Sequence, residues 1–200
     1  MGRASMKIAK IVSSNSHIAY VARVLDKRDG GADPPADEYG FGRFVSIEDG
    51  TERIVGVISD SRLVNPEYLS SSTRLGQASA LGELRRDLVE DKRTLIAILL
   101  LGSIAEGVPV HSIPLRVLPS GADVESMSGE DAAAFHRAGD GGVRMGYFPS
   151  LMSHSGPLST TLAKTIIDSL KPHFSDTEQQ KLAVMADSLS WKQAFGDSRF

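Results

Sequence analysis

Apolar and polar residues alternate in short runs at the start of the chain, and the period lengthens after its middle. Lys7 to Val12 and Ile18 to Val24 alternate partially, with Ile8, Lys10 and Val12 and then Ile18, Tyr20, Ala22 and Val24. This period of two predicts short β-strands. Between Asp26 and Gly40 the chain reads DKRDGGADPPADEYG, rich in Asp, Gly and Pro, which predicts an exposed loop. Phe44, Val45 and Ile47 then run into Glu48-Asp49-Gly50, and Ile54 to Ile58 follow as a second apolar run ending at Asp60. Two β-rich runs joined by Asp-Gly predict a hairpin.

A connection over 61–79 leads to a helix expected at about 80–92, with Leu81, Leu84 and Leu88 on one face and charges on the other. Thr94 to Gly102, TLIAILLLG, reads as a strand buried on both sides and ended by Gly102. Pro109 and Pro114 bracket His111 and place this stretch at a sheet edge or strand end. Beyond it, Ser128 with Asp131 predicts a capped helix to about Arg137, and Val143 to Phe148 a further strand. Leu158 to Leu170 carries a helical stripe stopped by Pro172, and Ser175 with Glu178 forms a capping box for a last helix. The expected architecture is α+β: a small, roughly six-stranded β-barrel over 1–127 with a helical insertion, and a C-terminal helical subdomain over 128–200.

Composition narrows the chemistry. The 200 residues include no cysteine, which removes disulfides and thiolate sites. A net charge of -3 with 24% charged residues gives no overall attraction to nucleic acid. The longest apolar stretch, Leu95 to Leu101, is too short to span a bilayer, and MGRASMK has no apolar signal core. A soluble cytoplasmic protein without membrane contact is the expectation.

Candidate sites are few. The histidines at positions 17, 111, 136, 154 and 173 lack HExxH or HxH spacing, so no metal site is assigned, and they read as solvated or capping residues. Ser153-His154-Ser155 places serine beside histidine without triad geometry, and no Gly-x-Ser-x-Gly elbow occurs. No catalytic residue and no cofactor are assigned. Gly139-Asp140-Gly141-Gly142 reads as a hinge or as an amide loop for an anion. Arg85, Arg86, Lys92 and Arg93 form the densest basic cluster, interleaved with acids, and read as a solvated helix face or a weak nucleic-acid contact. Leu182, Met185, Leu189, Trp191 and Phe195 form an apolar face that either closes the fold internally or anchors a partner.

The succession KIAKIVSSNSHIAYVARVL, GRFVSIEDGTERIVGVISD, TLIAILLLG and IPLRVLPSGADV resembles the HerA–ATP synthase barrel over about Met6 to Val124. Such barrels stand at the N-terminus of HerA-type DNA-translocating ATPases and of rotary ATPase subunits. There, a phrase like VRMGYF precedes a P-loop motor, whose glycine loop must end in Gly-Lys-Ser/Thr. No Gly-Lys pair occurs in this chain. The resemblance therefore implies a barrel without its motor. It would be a non-enzymatic assembly or regulatory module docking to itself or to a HerA-like ATPase, with nucleic acid reached only indirectly. The alternative is an enzyme or small-ligand-binding protein with a cleft between barrel and helices, in which His111 or His154 supplies polar groups.

Overall fold

A computed structural model describes residues 5–29, 33–50, 52–64 and 93–196, with the side chains of the last helix as far as Ser190. The strands are β1 (Lys7–Ser14), β2 (Ala19–Val24), β3 (Phe44–Asp49), β4 (Glu52–Val64), β5 (Arg93–Ala105), β6 (Val108–Val110) and β7 (Asp123–Ser126). They run in the order β2-β1-β7-β3-β4-β5-β6, and β2 also pairs with β5. That extra pairing, Ala19 opposite Leu99 through Arg23 opposite Leu95, closes six antiparallel strands into a barrel. The seventh strand, β6, lies outside the closure on the far end of β5, where Ser103, Ile104 and Ala105 face it.

The β3–β4 hairpin pairs Phe44 with Val57 through Asp49 with Glu52, and its two-residue connection starts at Gly50 with φ +65°. β4 does not stop at Asp60 as its pattern suggested. It continues to Val64 because β5 pairs with it along its whole length. Register slips at Val55/Gly56 and at Ile58/Asp60 mark bulges, which bend a strand pair enough to close a small barrel.

β5 is buried on both faces from Ile98 to Ser103, and the helix over 148–154 packs against it. Gly102 does not end it. The glycine is instead required by close approach, since a Cβ there would clash with the Val110 carbonyl oxygen. Backbone cannot swing aside as a side chain can. Gly102→Ala is therefore expected to cost about 2 kcal/mol in chemical denaturation and to expose the β6 amides to hydrogen exchange. A change within experimental error would show that β6 is not seated this tightly.

The helices are α1 (Gly129–His136), α2 (Phe148–His154), α3 (Ser159–Leu170) and α4 (Asp176–Gly196). Ser128 caps α1, its hydroxyl accepting from the Asp131 N–H. The strand expected over 143–148 is absent. The stretch makes one bridge, Arg137 with Val143, and turns directly into α2, whose Pro149 suits a first helical turn. In the first turn of α4 the Glu178 carboxylate accepts from the Val143 N–H at 2.9 Å and from Lys181 at 2.6 Å, tying the helix to the segment before α2. α3 is the hub of the layer, burying Leu162, Ala163, Ile166, Ile167 and Leu170. One continuous hydrophobic cluster joins the barrel interior to these helices. The helix expected at 80–92 lies outside the described residues. Among the described residues no helix is long and apolar enough to cross a membrane.

Candidate functional site: an aromatic junction and an apolar ribbon

Barrel and helices meet at four rings. His111 follows β6, Phe135 and His136 end α1, and Tyr147 immediately precedes α2. The ring centroids of His111 and Phe135 lie 4.4 Å apart, and those of His136 and Tyr147 5.5 Å apart. Phe44 of β3 meets His136 edge-on at 5.1 Å.

The hydrogen bonds fix both imidazoles as neutral tautomers. His136 Nδ1 lies 2.6 Å from the Ala132 carbonyl oxygen, so it must donate. Its Nε2 is then an acceptor and receives the Tyr147 hydroxyl at 2.7 Å. His111 is arranged the other way round. Its Nε2 donates to the Phe135 carbonyl at 2.8 Å, and its Nδ1 accepts from the Gly146 N–H at 3.1 Å. Burial drives the His136 pKa down to about 4, with the neighbouring His111 adding a smaller push. Burial likewise lowers that of His111 and raises that of the Tyr147 phenol. All four ring nitrogens are committed. This is a structural fastening, and acid–base work here would have to break it.

Two expectations for the histidines therefore need correction. His111 and His136 are core residues, not solvated or capping ones. His154, the other candidate polar group, sits on the exposed side of α2 and donates Nδ1 to the Ser150 carbonyl one turn back. A cavity of about 190 Å³ opens beside the junction, lined by Leu100, Leu101, Ile113, Pro149 and Ser150 among others. That is smaller than the roughly 300 Å³ at which small-molecule sites begin. Among the described residues no group of three or more acidic or histidine side chains could hold a metal ion.

The glycine turn is equally committed. The Gly142 N–H bonds to Asp140 Oδ1 at 3.0 Å and the Gly141 N–H to the Ala138 carbonyl at 2.9 Å, so these amides close a local turn and do not face an anion. Of the basic cluster, Arg93 begins β5 on the surface, while Arg85, Arg86 and Lys92 lie outside the described residues. Of the apolar face on α4, Leu182 and Leu189 are buried within the chain and Met185 is partly buried against the same core. Those three serve internal closure. The side chains of Trp191 and Phe195 lie outside the described ones.

The surface feature that the sequence pattern did not single out is the 108–117 ribbon. Among the described residues, five of the nine exposed large apolar side chains fall on it: Val108, Val110, Ile113, Leu115 and Val117. Leu115 is 92% exposed and Val117 70%. The backbone beneath them is fastened at several points. β6 pairs with β5, His111 is locked into the junction, His17 Nε2 donates to the Pro114 carbonyl at 2.7 Å, and the Leu118 N–H donates to the Tyr20 hydroxyl at 3.1 Å. Pro114 and Leu118 point inward while Ile113, Leu115 and Val117 point out. An apolar strip held in one conformation loses little freedom when something covers it.

The family model for a domain of unknown function, DUF8166, matches residues 2–198, nearly the full chain. The chain belongs to this family. A search of curated proteins finds no match. The DUF8166 match takes in the barrel, the four-ring junction and the ribbon together, so all three lie within one family unit.

Proposed function

We propose that this DUF8166 chain is a non-enzymatic assembly module, related in role to the HerA–ATP synthase barrels that its strand succession resembles. It works by docking, to itself or to a HerA-type ATPase. The observation that carries this reading is the fastened, exposed apolar ribbon. Exposed aliphatic side chains concentrated on one stretch mark interaction surfaces more often than scattered ones do. The closed barrel and the saturated histidines support it, because the most buried polar groups here are used for rigidity. The resemblance to HerA-type barrels supplies the class of partner.

The test is light scattering on the purified full chain, alone and mixed with a HerA-type ATPase encoded in the same genome. A self-associated species or a mixed complex is the expected result. A chain that stays monomeric alone and fails to join the ATPase would overturn the reading.

A further inference from the structure

We infer that the cavity beside the four-ring junction is a binding site for a neutral, single-ring molecule carrying one hydroxyl group, a phenol by class. This goes beyond the assembly reading and does not depend on it. The argument starts from Ser150. Its Oγ is buried and has no hydrogen-bond partner among the described residues, and the residue lines the cavity. A buried hydroxyl without a partner is costly, and alanine at this place in the first turn of α2 would avoid the cost. No hydrogen bond holds the side chain, so it can turn between its staggered positions to meet a ligand.

The rest of the wall sets the class. Leu100 and Leu101, both buried on β5, supply an aliphatic side. The His111 and Tyr147 rings, 5.5 Å apart between centroids, supply an aromatic one. The imidazole nitrogens and the phenol proton are spent inside the junction, so the hydroxyls of Ser150 and Ser112 are the side-chain donors left for a ligand. No Asp, Glu, Lys or Arg is among the described residues that line the cavity, and Arg144, whose charge reaches His111, is not one of them. A carboxylate, phosphate or ammonium group would enter without a counter-charge. Size bounds the ligand from both sides. At about 190 Å³ the space is too small for an ordinary metabolite or cofactor, whereas a cavity of about 150 Å³ with apolar walls already holds benzene. One ring with a small substituent fits between these limits.

Two-dimensional amide NMR on the full chain tests this, with phenol, toluene and benzoate as probes. Each is added to about 10 mM, enough to saturate a site whose dissociation constant is about 1 mM. Phenol should shift the amides of Leu101, Gly146 and Ser150 in a saturable way, and benzoate should leave them in place. Ser150→Ala should weaken phenol about three- to tenfold, the worth of one hydrogen bond, and leave toluene unchanged. Ser112 stands at the exposed rim, so Ser112→Trp can fill the mouth without disturbing the core and should weaken both. Circular dichroism melting gives a readout without any ligand: Ser150→Ala should melt no lower than wild type, because it removes a buried hydroxyl that has no partner. Absence of a saturable phenol shift overturns the proposal. Phenol binding indifferent to both variants overturns it by placing the probe elsewhere on the chain. Benzoate bound as tightly as phenol overturns the neutral class, and a lower melting temperature for Ser150→Ala overturns the premise that its hydroxyl is free.

Discussion

Phe135→Ala should be the most damaging single truncation in the junction, costing about 3–5 kcal/mol in equilibrium unfolding. The ring is 1% exposed and touches three other rings: His111 at 4.4 Å, His136 at 5.1 Å and Tyr147 at 6.4 Å between centroids. Truncation removes those contacts and leaves a void beside the existing cavity of about 190 Å³. The void cannot collapse easily, because its other walls are fixed by hydrogen bonds from both histidines. In a chain of this length each kcal/mol lowers the melting temperature by about 2–4 °C, so a fall of about 6–20 °C is expected. Phe135→Leu, which keeps most of the volume, should lose much less. A loss below about 0.5 kcal/mol for the alanine variant, within the range of ordinary surface changes, would mean that this ring does not seat the helices on the barrel.

The barrel was legible in the sequence because its determinants are local. Period-two alternation, the Asp-Gly turn and the apolar run of β5 each predict a strand from a handful of neighbouring residues. The Ser128 cap and the apolar stripe of α3 are local in the same sense. Closure through β2 and β5 was not legible in the residues themselves, since it pairs Ala19 with Leu99, residues far apart in sequence. Val143 to Phe148 was misread because apolar residues after glycines look strand-like, whereas Pro149 and the contact of Gly146 with His111 commit the segment to a turn.

The junction was harder still. His136 follows Ala132, Ala133 and Phe135 on a buried helical face, so a histidine in an apolar stripe was the one available sign of a satisfied core residue. His111 between two X-Pro pairs gave none. The ribbon escaped notice for a related reason. IPLRVL looks like any half-buried edge segment, and only the fold reveals that Pro114 and Leu118 take the inward positions and leave Ile113, Leu115 and Val117 outside.

Acid should loosen the fold through the same junction, and the sign follows from the direction of the shift. An imidazole in the unfolded chain titrates near 6.5, while burial holds that of His136 at about 4. Between those values the unfolded state binds the extra proton, so stability rises with pH. The contribution is fully present above about 6.5 and disappears as pH falls to about 4, amounting to about 3 kcal/mol in all. His111 adds to the loss in the same direction, since burial also lowers its pKa. The groups facing His136 sharpen the expectation. Tyr147 is a neutral phenol donating to Nε2, the Ala132 carbonyl already holds Nδ1, and Phe44 and Phe135 close the sides. The nearest other titratable ring is His111, and Arg144 stands beyond it as a further positive charge. No carboxylate is among these neighbours to welcome an imidazolium. Asp29, Asp123 and Glu178, whose partners hold their pKa values low, also weaken the fold in acid, so the histidine term has to be isolated. His136→Gln does this: the amide can donate and accept but does not titrate. Wild type should lose about 6–12 °C of melting temperature from the histidine term between neutral pH and the low fours, and the glutamine variant should show a correspondingly shallower slope. Equal slopes in the two proteins would show that His136 takes up no proton on unfolding, and that its burial carries no pH-dependent cost.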